Sequence, residues 1–185
     1  MKSTLRSSKI NRQMAGLIIA IILGSLAIVS IISSCFLGDY YVYKKRQDMK
    51  VLYDQISEKT DKGKLYQEGN YPWAVALFEK YSVSGVVTGA DGELLFSSNA
   101  DSDYLLDQLN FSMFSNENHI RTIKKTDTYE VFTLLYPDET SEFLVLRGLL
   151  PDGNFVFISS NISAMEHTSA ITNVFFIHMV IWAVI

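Results

Sequence analysis

The side chains able to do chemistry in this chain are few and scattered. Its three histidines, His119, His167 and His178, stand far apart in the sequence, and its single cysteine, Cys35, lies inside an uncharged apolar run. Metal centres need His or Cys at short fixed spacings, and phosphate sites need a glycine-rich loop before a helix. Neither pattern occurs, so no residue is assigned to catalysis, none to a metal, and the chain carries no cofactor motif of its own. His119 lies in a polar stretch and reads as a surface residue. His167 follows Glu166; histidine as a residue type changes charge near neutrality, which opens a pH-sensing role, although in an exposed histidine that change has no consequence. His178 interrupts a second apolar run, where it is either functional or a neutral side chain against a partner helix.

The better candidates are for binding. Arg147 is the only charged residue within FLVLRGLL (143–150). It either faces solvent from the polar side of a strand or meets an anionic group of a ligand. Arg121 and Tyr129, on or beside predicted strands, complete the ligand-binding set expected for a small-molecule or ionic ligand held on a sheet. Asp101, Asp103 and Asp107 form either a solvated face or a collecting point for a cation. The triplets Asn110-Phe111-Ser112 and Asn161-Ile162-Ser163 match the glycosylation sequon, a short pattern that also arises by chance.

The first element that must position these residues is apolar. Residues 14–37 hold no Asp, Glu, Lys, Arg or His, and as a helix this run of about 24 residues reaches about 36 Å. A bilayer's hydrocarbon core is about 30 Å thick, and a lone span there must be helical to satisfy its own backbone. The run is longer than the about 7–15 apolar residues of a signal peptide, although Ser33-Ser34-Cys35 imitates a cleavage site. Residues 1–13 carry Lys2, Arg6, Lys9 and Arg12 and no acid, which favours a cytoplasmic amino terminus. Lys44, Lys45, Arg46 and Lys50 oppose that vote from just past the span. Ala20 and Gly24 make a small-xxx-small pair through which two such helices could approach.

Residues 40–60 turn polar but keep a period. Val42, Met49 and Ile56 are seven apart and Leu52 falls between the last two, with Lys45 interrupting the seam upstream. Such a juxtamembrane helix either pairs with a partner in a dimer or packs on its own domain. Thr60-Asp61-Lys62-Gly63 ends it. Asn70-Tyr71-Pro72 then reads as a helix start with Asn70 as N-cap, followed by Trp73, Ala76, Leu77 and Tyr81 at helical spacing. SGVVT (84–88) and ELLFS (93–97) flank Asp91-Gly92, a hairpin signal. Residues 104–109 predict a short helix and 111–118 are ambiguous. Strands follow over 129–135, 142–150 and 155–159, joined by Pro-Asp turns, with 120–124 as an additional edge strand. The fold class is α+β: an antiparallel sheet of about five strands, covered on one face by the preceding helices.

All 20 acidic residues and 12 of the 16 basic ones lie between Asp39 and Glu166, so that region carries 12 − 20 = −8 against +4 for the amino-terminal tail. A −8 domain argues against a nucleic-acid partner, which requires a basic face.

In layout the chain resembles the extracytoplasmic PAS-like, or Cache-type, sensor domains of bacterial sensor histidine kinases. The likeness rests on the membrane helix running into a long helix, on NYPWAVALFEKY (70–81), on SGVVTGADGELLFSS (84–98) and on VLRGLLPDGNFVFISS (145–160) feeding NISAMEHTSA (161–170). It implies a cytoplasmic tail (1–13), a first transmembrane helix (14–37), an extracytoplasmic sensor domain (38–167) and a second transmembrane helix (168–185). It further implies a multi-pass protein of the bacterial cell membrane, a homodimer, and a cytoplasmic response regulator reached through domains missing from this chain. ATP and Mg would serve that missing kinase core. The apolar run at 168–185 stops without a basic flank, so the sequence is expected to be a fragment. Chemoreceptors and diguanylate cyclases share this layout, and a stand-alone membrane-anchored binding protein is the remaining alternative.

Overall fold

A computed structural model describes residues 2–61, 71–115, 119–136, 141–163, 174 and 178. The chain divides into two compact units, Met1–Tyr40 with Met165–Ile185, and Tyr41–Ala164. Helix α1 (Lys2–Asp61) is continuous and contributes to both. Its segment Gln13–Ile32 is long and apolar enough to cross a membrane, with a mean hydropathy of 2.8. Leu17, Ile21 and Ile31 there are all exposed. The predicted second span and the N-cap Asn70 lie outside the described residues; at His178, ring Nδ1 lies 2.8 Å from the Val174 carbonyl, one helical turn back.

The second unit is built on one antiparallel sheet. After α2 (Tyr71–Lys80) come β1 (Ser84–Thr88), β2 (Leu94–Ser97), α3 (Ser102–Phe114), β3 (Ile120–Lys125), β4 (Tyr129–Leu135), β5 (Glu142–Leu149) and β6 (Phe155–Asn161). The strand order is β2-β1-β6-β5-β4-β3, so the hairpin β1–β2 and the meander β3–β6 join where β6 pairs with β1. The expected hairpin turn forms with Gly92 at φ +86°, a conformation that favours glycine. Six strands replace the expected five or so, because the candidate edge strand pairs with β4, with a register shift between Thr122 and Lys124.

Both faces of the sheet are covered, not one. Met49, Leu52 and Ile56 of α1 and Ala74, Leu77 and Phe78 of α2 pack against Val87, Leu144, Leu146, Val156 and Ile158. On the opposite face Leu105 and Leu109 of α3 pack against Val86, Phe132, Leu134, Val145 and Phe157. Strands covered on both sides lose the apolar–polar alternation of half-exposed ones and read as continuous apolar runs, as FLVL of β5 does.

Two choices left open by the sequence close here. The seam Met49–Leu52–Ile56 is used by its own domain, with all three side chains at most 1% exposed. The buried stripe of α2 is Ala74, Leu77 and Phe78, while Ala76 faces out. Helix α3 is longer than the predicted 104–109 segment. Asp101 caps it by accepting from the Tyr104 amide at 3.4 Å, and it runs on through the ambiguous stretch to Phe114.

Candidate functional site

The polar chemistry of the sheet domain gathers on the α3 face. Leu105, Gln108, Leu109 and Ser112 recur at three- and four-residue spacing, which puts them on one stripe of α3, and all four are buried. Two of the four are polar. Gln108 is fully buried, and its Oε1 accepts a hydrogen bond from Ser159 Oγ at 2.9 Å. Ser159 follows Phe157 by two along β6 and so shares its face. The Gln108 Nε2 has no acceptor among the described residues. A buried amide left half-bonded costs about 1–3 kcal/mol, so its surroundings matter.

Those surroundings are a cleft of about 460 Å³. It is lined by Tyr104 and Gln108 of α3, by Ser159, Ser160 and Asn161 of β6, and by Asn99 from the loop before α3. Ser82, Ser84 and Tyr41 of α1 line it as well. Of the 12 lining residues only Val83, Leu105 and Phe143 are apolar, and the other nine carry a hydroxyl or an amide. No charged side chain among the described residues lines it. Its polar groups among the described residues are neutral hydroxyls and amides.

Tyr41 and Ser82 are tied together by Lys45. This lysine is only 6% exposed, and its Nζ donates to the Tyr81 carbonyl at 3.0 Å and the Ser82 carbonyl at 3.2 Å. It thus places a cation at the carboxyl end of α2, where the helix dipole favours one. The same ammonium sits 5.4 Å from the Tyr41 ring centroid. The residue that interrupts the heptad pattern is a brace between α1 and α2.

The residues expected to bind ligand are placed elsewhere. Arg147 and Glu130 are directly opposite on β5 and β4, and their side chains form an ion pair. The guanidinium also donates to the Ser112 carbonyl at 3.4 Å and lies 5.5 Å from the Phe132 ring centroid. Tyr129 is buried on the α1 face, its ring 5.3 Å from that of Tyr53. Arg147 and Tyr129 meet at a second, shallower groove of about 340 Å³, together with Lys125 and Glu130. Arg121 is exposed on edge strand β3 opposite Thr133 and lines neither site. His119 is half-buried instead of exposed, its ring 5.6 Å from Phe111 and its Nδ1 unpartnered among the described residues. Asp101 is spent as a helix cap, and no three metal-grade side chains converge among the described residues.

Sequence reasoning missed Gln108, Ser159, Tyr41 and Lys45. The signal for Gln108 was present: a polar residue where the Leu105–Leu109–Ser112 stripe calls for a core position. Comparison with family models, with curated proteins and with solved structures finds no match to the chain.

Proposed function

We propose that this chain is the sensing and transmembrane signalling part of a sensor histidine kinase. In this reading α1 anchors the protein in a bacterial cell membrane with its amino terminus in the cytoplasm. The sheet domain lies outside and binds a small molecule, and the segment 168–185 returns the chain across the bilayer. Two copies act together, and a cytoplasmic kinase core using ATP and Mg passes phosphate to a response regulator.

The observation that carries this reading is the lining of the cleft. It includes Tyr41, on the helix that also contains the membrane-crossing run, and Asn161, at the last residue of the last strand. An occupant would touch the chain both where it enters the domain and where it leaves. Ligand binding shifts an equilibrium only by its differential affinity for two arrangements, and contacts to Tyr41 and Asn161 are where such a difference would be felt.

The full reading frame tests it. It should continue past Ile185 into a helix bearing a phosphoacceptor histidine and a nucleotide-binding domain. Membrane vesicles carrying that product should transfer the γ-phosphate of ATP to the histidine. A stop codon directly after Ile185, or a full-length product that takes up no phosphate, overturns the kinase reading and leaves a membrane-anchored binding protein.

A further inference from the structure

We infer that the cleft beside Gln108 takes a small uncharged polyol, of the sugar class, one of whose oxygens accepts the hydrogen bond that Gln108 Nε2 lacks. The inference deepens the sensor reading and rests on it for its purpose, while the chemistry of the site stands on its own residues.

The unmet donor points to an occupant. Gln108 is 0% exposed, and its one side-chain partner among the described residues is Ser159, engaged through Oε1. Turning the amide over would only exchange which of its two terminal atoms lacks a partner. An occupant whose oxygen reached this amide would complete its hydrogen bonding.

The lining then limits what that occupant is. A charged ligand entering the cleft would lose its hydration with no counter-charge among the described lining residues, a heavy penalty. A mostly apolar ligand would bury nine hydroxyl- or amide-bearing residues against carbon. Carbon still makes up the larger part of the exposed lining, as in other small-molecule sites, so polar groups and apolar surface are interleaved around the cleft. Hydroxyls and amides donate and accept alike, as do the hydroxyls of a polyol, so the two can be matched around the whole ring. The apolar C–H faces of a sugar need some cover, and Tyr41, Tyr104 and Phe143 are in the wall to give it. The volume of about 460 Å³ falls within the about 300–1,000 Å³ typical of small-ligand sites. Filling the cleft would bridge Gln108 on α3 to Tyr41 on α1, the contact that the sensor reading needs.

The test uses the full chain in lipid nanodiscs, since sugar-headed detergents would present the same chemistry as the ligand. Thermal unfolding is followed with glucose, galactose, ribose and myo-inositol, and with the charged analogues glucuronate and glucosamine, all at millimolar concentration. At least one neutral probe should raise Tm, and neither charged analogue should. Gln108→Met should leave the unliganded Tm unchanged or higher and weaken the responding probe at least about tenfold, a loss of about 1.4 kcal/mol. If that variant does not fold, Ser159→Ala, which unseats the amide, should weaken the same probe. A charged analogue that binds as well as its neutral parent overturns the ligand class. A response that survives both substitutions overturns the site. No response from any neutral probe overturns the proposal and leaves the cleft holding water only. The phosphate-transfer result depends on none of these probes, so failure here and failure of the sensor reading are distinguishable.

Discussion

The two faces of the sheet are packed to different standards. On the α1–α2 face the buried side chains are apolar, and the polar groups among them are satisfied: Lys45 by two carbonyls and Tyr53 Oη by the Leu149 carbonyl at 2.6 Å. On the α3 face a glutamine, serines and an ion pair are set into the core. The two buried side-chain atoms without a partner among the described residues, Gln108 Nε2 and His119 Nδ1, are both on that side. One face holds the domain together, and the other gives up some stability for a polar cleft. Binding sites are expected where packing is incomplete and polar groups converge.

The largest expected effect tests that contrast directly. Leu146 on β5 is fully buried on the α1–α2 face, whereas Leu105 on α3 borders the cleft. Leu→Ala in a core costs about 2–5 kcal/mol, rising with the cavity left behind. Leu146→Ala should fall near the top of that range, at about 4 kcal/mol. Leu105→Ala, beside space that already exists, should fall near about 2 kcal/mol. Urea unfolding of the two variants measures both, and equal costs would break the comparison.

How much of this was legible depends on how local each feature is. The β1–β2 hairpin was plain because Asp91-Gly92 supplies the turn conformation within the turn itself. Strands β4 and β5 were plain because their apolar residues are contiguous. The coverage of both faces was written in the same residues, since FLVL leaves no polar side for solvent. The extent of α3 was obscured because Gln108 and Ser112 break its apolar stripe, and they break it because they belong to the polar face. The use of the α1 seam was not decidable locally, as two heptads fit a dimer seam and a buried helix equally well. The cleft was out of reach altogether: Gln108 and Ser159 are 51 residues apart, and only the sheet order brings them together.

A middle-sized effect concerns the ion pair. Its position was equally hidden, because Glu130 faces Arg147 only through the β4–β5 register. Side-chain exposures of 19% for Glu130 and 26% for Arg147 place the pair between surface and core. Removing either partner strands the other's charge; Glu130 would still have Lys125 Nζ at 3.9 Å, so the larger cost falls on stranding Arg147. With screening by partial exposure, Glu130→Ala should cost about 1–2 kcal/mol. Arg147→Met, which keeps the apolar stem over Phe132, should cost less. The reverse order in urea unfolding would mean that Arg147 is not matched within the sheet and would return it to the list of ligand groups.

The smallest effect sharpens the account of the well-packed face. Gly148 leaves room for the Tyr53 ring, where an added Cβ would come within 2.6 Å of Tyr53 Cε2. The phenol so admitted donates to the Leu149 carbonyl. Tyr53→Phe should therefore cost about 1 kcal/mol, the net worth of one such bond, at neutral pH. Burial pushes the Tyr53 phenol above its ordinary value of 10.0, with a smaller opposing effect from Thr128. In the unfolded chain Tyr53 ionises near that ordinary value, so above about pH 10 the unfolded state has released more protons than the folded one, and stability falls as pH rises. The phenol's contribution is whole below about pH 10 and is lost as pH climbs through the raised folded value. The gap in unfolding free energy between wild type and Tyr53→Phe should thus be flat up to about pH 9.5 and shrink beyond it. A gap that stays constant to higher pH would show a phenol no better shielded than an exposed one, and would remove the clearest mark of close packing on that face.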